Sequence, residues 1–298
     1  MPGNIVFSSL RDGNEDIFTM DLLGNNLIRW THSKGEGKFC RTPEWSNDRN
    51  HIAFQSNRDG CNELYILSFA DGMLKRLTNT PGNGISQHPS WSPDNNKIIF
   101  SSNRGNGPQL YTIGTDGTDE RLIKPDGLNM KEYLNPCWTP DGEKIAFITG
   151  MKTSLGGGEL WVMNRDGSKP RRISRDDLQI YEYDYSPDGK NIVFDVRHES
   201  DSVVGEWDIY IMKSDGSSTQ RLTTQPTVNS RPKWLPDGKT IVFHTNRYGS
   251  HLAQPAADAA LTEWLGWWAQ FEICTMHADG SKVKRLTSNH FRDVHPDG

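Results

Sequence analysis

A unit of 46 to 49 residues recurs six times along the chain, and no other feature restricts the possible folds as much. Phe7, Phe54, Phe100, Phe147, Phe194 and Phe243 stand 47, 46, 47, 47 and 49 residues apart. A common block precedes five of them: Pro43 to Asp48, Pro89 to Asp94, Pro136 to Asp141, Tyr183 to Asp188 and Pro232 to Asp237. After each Phe comes a second apolar run, such as Leu64-Tyr65-Ile66-Leu67 or Ile209-Tyr210-Ile211-Met212. A glycine turn follows, at Gly24, Gly72, Gly117, Gly167, Gly216 and Gly280, and then a short run such as Lys75-Arg76-Leu77-Thr78. Short apolar runs separated by Asp-Gly and Pro-Asp-Gly are hairpin signals, because Gly takes positive φ without a steric penalty and Pro presets the turn. Four antiparallel strands per unit of this length predict a propeller blade, and six units predict an all-β, six-bladed β-propeller.

The chain opens at a second strand, Ile5-Val6-Phe7, and ends in Arg292 to Gly298, which reads as a first strand followed by its Pro-Asp-Gly turn. Residues 1–298 are therefore expected to form one domain, with blade 1 stitched from 4–31 and 290–298, since an open array would expose a sheet edge. The composition agrees: 28 Gly and 16 Pro supply turns, while 34% hydrophobic residues suit many short strands. A net charge of −5 gives no electrostatic footprint for nucleic acid or an anionic membrane. No apolar run is long enough to span a bilayer. The N-terminus shows no secretory leader, but a trimmed chain would look the same, so a periplasmic and a cytoplasmic location both stay open. Cys40, Cys61, Cys137 and Cys274 form no C-x-x-C pair, and no cofactor or metal is expected from them.

The string W-S-P-D-G, I-x-F-x-S-x-R, I-Y-x-M-x-x-D-G and R-L-T, seen for example across Trp91 to Asp94, Ile98 to Arg104 and Arg76 to Thr78, resembles the repeat of the TolB C-terminal propeller family. The resemblance covers nearly all of the chain. It implies the propeller fold and a protein-binding, scaffold-like role. It also implies that the α/β domain preceding the propeller in that family is missing here, because blade 1 begins at Asn4.

Within this frame Trp45, Trp91, Trp138 and Trp234 are expected to pack between blades. Arg29, Arg76, Arg121, Arg172, Arg221 and Arg285 are expected on solvated outer edges, where charge discourages edge pairing. The candidate site lies just ahead of the first strands, at Arg41 and Thr42, Gln87 and His88, Leu134 and Asn135, Tyr181 and Glu182, Ser230 and Arg231, and His290 and Phe291. By analogy with the fold, these entrances surround a channel mouth. The blade 5 entrance is acidic (Asp176, Asp177, Glu182, Asp184), and those of blades 2 and 6 are basic (Lys34, Lys38, Arg41, Arg231, Lys233). Opposed charge sectors can orient a polar partner.

Blade 6 carries an insertion of about 250–270, between Phe243 and Cys274. Leu261, Trp264, Leu265 and Trp268 follow i, i+3, i+4, i+7, which predicts a short amphipathic helix over 255–270, with Trp267 at the edge of its apolar stripe. Trp264, Trp267 and Trp268 join the binding candidates. The chain has no G-x-S-x-G and no H-E-x-x-H. The expectation is a monomeric, noncatalytic module that binds a protein or small polar ligand and neither nucleic acid nor membrane. The alternative is a carbohydrate-active lyase or hydrolase with a His-rich site, chemically adequate for a metal, built from His88, His244 and His290.

Overall fold

The computed structural model describes residues 3–82, 84–105, 107–151, 157–198, 206–225, 227–248, 270–289 and 291–298. Blade 1 begins with β1 (Ile5–Asp12), β2 (Asn14–Met20) and β3 (Ile28–Arg29). Blade 2 is β4 (Cys40–Trp45), β5 (His51–Ser56), β6 (Glu63–Ser68) and β7 (Leu74–Arg76), and blade 3 is β8 (Ser86–Trp91), β9 (Lys97–Gly105), β10 (Gly107–Gly114) and β11 (Arg121–Ile123). Blade 4 is β12 (Tyr133–Trp138), β13 (Lys144–Thr149), β14 (Glu159–Asn164) and β15 (Arg171–Arg172). Blade 5 is β16 (Ile180–Tyr185), β17 (Asn191–His198), β18 (Glu206–Lys213) and β19 (Gln220–Arg221). Blade 6 is β20 (Asn229–Trp234), β21 (Thr240–Thr245), β22 (Glu272–His277) and β23 (Lys284–Arg285), and β24 (Asp293–Asp297) follows. These strands form six four-stranded antiparallel sheets, the blades of an all-β, six-bladed propeller. Among the described residues there is no helix. The helix expected over 255–270, with Trp264, Trp267 and Trp268, lies outside the described residues, as does His290.

The chain divides into two compact units, Thr31–Ile180 with blades 2 to 4, and Met1–Trp30 with Tyr181–Gly298 for the rest. In the second unit the sheet order β24-β1-β2-β3 builds blade 1 from both ends of the chain. Its register corrects the sequence alignment of that last strand. Asp297 pairs with Val6, Val294 with Ser8 and Asp293 with Ser9, as Glu44 pairs with Ala53, Arg41 with Gln55 and Cys40 with Ser56. Pro296 is thus the counterpart of Pro43 inside the strand, not of the hairpin proline, and His295 rather than Phe291 stands at the entrance position.

The repeat residues have separable structural roles. Each Phe of a second strand is buried, and Phe7–Phe18, Phe54–Tyr65, Phe100–Tyr111 and Phe194–Tyr210 stack across strands at 5.7 to 6.0 Å. The hairpin between first and second strands is closed by its own side chains. Ser92 Oγ donates to Asp94 Oδ1 (2.6 Å) and accepts from Lys97 N (2.9 Å), and Asp94 Oδ1 also accepts from Asn96 N (3.1 Å). Thr139 with Asp141 and Ser186 with Asp188 repeat the motif, and the hydroxyl bonds hold all three carboxyls below the usual range.

The outer-strand arginines are not free surface charges, which corrects the expectation from sequence. In blade 2 the buried Glu63 accepts from Arg76 Nη2 (2.9 Å), Thr78 Oγ1 (2.5 Å) and Thr80 N (2.7 Å). In blade 6 Glu272 accepts from Arg285 Nη2, Thr287 Oγ1 and Asn289 N, and in blade 5 Asp208 accepts from Arg221 and Thr223. Arg29 reaches Asp16 and Arg172 reaches Glu159 in the same way. A buried acid at the start of the third strand therefore clasps the fourth strand, which is too short to hold by ladder bonds alone. Blade 3 breaks the pattern: Gln109 takes the acid's place, and Leu122, not Arg121, pairs opposite Tyr111.

Candidate functional site

The entrances share one backbone device. Thr42, His88, Asn135, Arg231 and His295 each precede a proline, and each has φ between 47° and 54°. The ladder slips at each of them, between Arg41 and Glu44, Gln87 and Ser90, Leu134 and Cys137, Ser230 and Lys233, and opposite Val6 and Ser8. Such left-handed residues cost about 1–3 kcal/mol unless their surroundings fix them. In three of the five the fixing group is the side chain that follows the repeat Phe of the neighbouring blade. His88 N donates to Gln55 Oε1 (3.4 Å), Arg231 N to Asp195 Oδ2 (2.8 Å) and His295 N to His244 Nδ1 (3.3 Å).

The unit holding blades 5, 6 and 1 concentrates ionisable groups at this position. Asp195, fully buried on β17, accepts from Glu182 N (2.7 Å), Ser230 Oγ (2.5 Å) and Arg231 N. Burial pushes its carboxyl up to about 6, against the pull of the Ser230 and Arg231 bonds. Arg231 Nη1 lies 2.6 Å from Glu182 Oε1, and its guanidinium sits 5.7 Å from the Tyr181 ring. Tyr181 meets Trp207 edge-on at 4.9 Å, and burial raises its phenol pKa. On β21, burial first, and then Arg231 and Arg292, hold His244 well below its ordinary value. Its Nδ1 accepts from His295 N, so the neutral ring carries its proton on Nε2. His295 Nδ1 is 2.9 Å from Ser8 Oγ. One layer deeper, Asp184 lies 3.7 Å from Lys233 and accepts from Trp234 N, and burial pushes it up to about 6.

The acidic and basic sectors expected from sequence thus neutralise each other within this unit, as Glu182–Arg231 and Asp184–Lys233 pairs. Phe291 is 44% exposed and lies outside β24. In the other unit Asp176 pairs with Arg172 and Asp177 with Arg175, both local contacts. Arg41 covers Phe39 at 4.3 Å, Lys38 donates to Asn57 O, and His88 and Asn135 occupy the left-handed positions of their strands. Among the described residues no group of three or more His, Cys, Asp or Glu is placed to hold a metal ion. His295, Asp195 and His244 complete the entrance cluster. The X-Pro step at His295 and the variation after each Phe are the sequence signals that pick them out.

Residues 34–156 match the family model of the TolB beta propeller domain. Over that stretch the chain is similar to the TolB propeller. Over 169 residues this TolB-like chain is 28% identical to the "Protein TolB homolog" of Chlorobium luteolum, an alignment covering 54% of the chain and 34% of that relative. It spans about a third of the length of the curated relatives it matches. The crystal structure of TolB from Acinetobacter baumannii superposes with a TM-score of 0.72 at 18% identity, covering 98% of this chain and 65% of that one. An oligogalacturonate lyase in complex with manganese superposes with a TM-score of 0.59 at 16% identity, covering 95% of this chain and 73% of that one. Both show the shared propeller fold.

Proposed function

We propose that this TolB-like propeller is a noncatalytic binding module that takes a protein partner or a small polar ligand on the entrance side of blades 5, 6 and 1. One observation supports this reading above the rest. Glu182, Arg231 and His295 are held in fixed, partly strained geometry by the buried Asp195 and His244, and Tyr181 lies against the Arg231 guanidinium and Trp207, so a polar surface is organised before anything binds. The Arg231 fork and the Tyr181 ring supply the aromatic and guanidinium anchors that dominate interface energetics. His244 is buried with its imidazole held neutral, and Asp195 is saturated with donors, which suits support of a surface more than turnover.

The test is a comparison of partners cross-linked to the wild-type chain and to Tyr181→Ala and Arg231→Ala from the same cell extract, with each captured species then titrated against purified protein. A species that binds the wild type and loses about tenfold or more in affinity to both variants supports the reading. Identical binding to all three chains refutes it.

A further inference from the structure

A second surface departs from the repeat, within the unit of blades 2 to 4 and away from the entrances. Trp91 packs against Ile66 and Leu77 of blade 2, and in the other unit Trp234 packs against Ile211 and Leu222 of blade 5. The register pairs Tyr65 with Phe54 and Tyr111 with Phe100, so the residues under Trp138 that correspond to Ile66 and Leu77 are Thr112 and Ile123. Thr112 is shorter than Ile66 by one carbon and carries a hydroxyl, as do Thr19 and Thr275 at the same register position of blades 1 and 6. The slip in β11 also moves Arg121 one position, and a shift of one residue turns a strand's side chains to the opposite face. Trp45, Trp91 and Trp234 are 5 to 6% exposed, but Trp138 is only partly buried. The space left is a cleft of about 510 Å³, lined by Thr112, Arg121, Ile123 and Trp138 with Glu143 and Arg165 at its edge.

We propose that this cleft is a binding site for a neutral oligosaccharide, with a sugar ring laid against Trp138. Its volume falls in the range of about 300–1,000 Å³ typical of small-ligand pockets. The rim carries both signs: Lys97, Arg121 and Arg165 against Asp94, Asp141, Glu143 and Asp166. That near-balance favours no strongly charged ligand. Most of these groups are already engaged. Lys97 and Arg121 both bind Asp119, while Asp94 and Asp141 close their hairpins. Among the described residues no side-chain hydrogen bond or ion pair engages Glu143, and Arg165 acts only at longer range on the Asp166 carboxyl, so one acceptor and one donor remain beside the partly exposed indole. A polyol can satisfy acceptor and donor together while its apolar ring face covers the aromatic surface.

Saturation-transfer NMR and calorimetry with maltotriose, cellotriose and chitotriose, and with spermine and citrate as charged probes, test the site. At least one trisaccharide binds in the millimolar range or tighter, and spermine and citrate do not compete with it. Thr112→Ile, which restores the residue found under Trp91, weakens that binding about tenfold or more and keeps or raises Tm. The rim double variant Glu143→Gln with Arg165→Ala weakens it as well, and carries the test if Thr112→Ile does not fold. Failure of all three sugars to bind, binding of spermine or citrate alone, or unchanged affinity in the variant that folds overturns the proposal.

Discussion

Replacing Asp195 by Asn separates the two roles of that buried carboxylate, and it does so with a pH signature. Asp195 accepts three hydrogen bonds, two of them from backbone N–H groups that cannot rotate away. The Asn oxygen can serve Ser230 and Arg231, but its NH₂ then faces Glu182 N, leaving two buried donors opposed at about 1–3 kcal/mol each. The opposing effect is relief of charge burial. The carboxyl titrates at about 6 in the fold and near 3.8 in the unfolded chain. A raised carboxyl binds its proton more tightly in the folded state, so its contribution is most favourable at low pH and is lost as pH rises from about 4 through about 6. By linkage, the wild type loses about 1 kcal/mol through Asp195 between pH 5 and pH 7, and about 2 kcal/mol between pH 4 and pH 7. Asp195→Asn loses none of this, so the variant's deficit is larger at pH 5 than at pH 7 by about 1 kcal/mol. Urea unfolding of both proteins at the two pH values measures it, and Asp184 and His244, common to both chains, cancel in the difference. A deficit that is the same at pH 5 and pH 7 would mean that Asp195 is ionised in both states and that the account of the site is wrong.

Deleting residues 293–298 removes β24 and exposes the edge of β1. It should cost several kcal/mol of an overall stability of about 5–15 kcal/mol, and a truncated chain with an unchanged urea midpoint would refute the stitched blade. Thr287→Val removes both the hydroxyl bond to buried Glu272 and the acceptor for Ile273 N, so stability should fall by about 2 kcal/mol or more in urea unfolding.

The fold was legible because its determinants are periodic and local: an aromatic, a hairpin, a Phe, a glycine turn. Errors entered where one residue type serves two structural purposes. Pro296 looked like a hairpin proline because Pro-Asp-Gly follows the turn consensus, whereas strand pairing alone shows that it is the proline inside the strand. Arg121 resembles its five counterparts, and the slip opposite Tyr111, with Gln109 in the acid's place, separates it. Glu63, Asp208 and Glu272 could not be recognised as buried acids, since their partners lie 13 to 17 residues away on another strand. The entrances were found in five blades, but His295 was missed with the register. The variation after each Phe marks Asp195 and His244 as unusual, but their anchoring role is not legible from sequence, because it comes from backbone N–H groups on the next blade.

The entrance geometry also explains how one repeat can carry different chemistry in different blades. A residue before proline is disfavoured in the α region, yet five blades place one in the left-handed region at the same step. In three of them the side chain after the conserved Phe receives that residue's N–H: Gln55, Asp195 or His244. An amide, a carboxylate and an imidazole all satisfy a single donor, so the fold constrains that position only to be an acceptor. Its charge and pKa are left free to vary. Asp195 and His244 are the two ionisable side chains among these three acceptors, and both lie in the unit in which Arg231, Glu182 and Tyr181 form the polar surface. Selection on binding can therefore act through one acceptor per blade without disturbing the apolar residues that build the sheet.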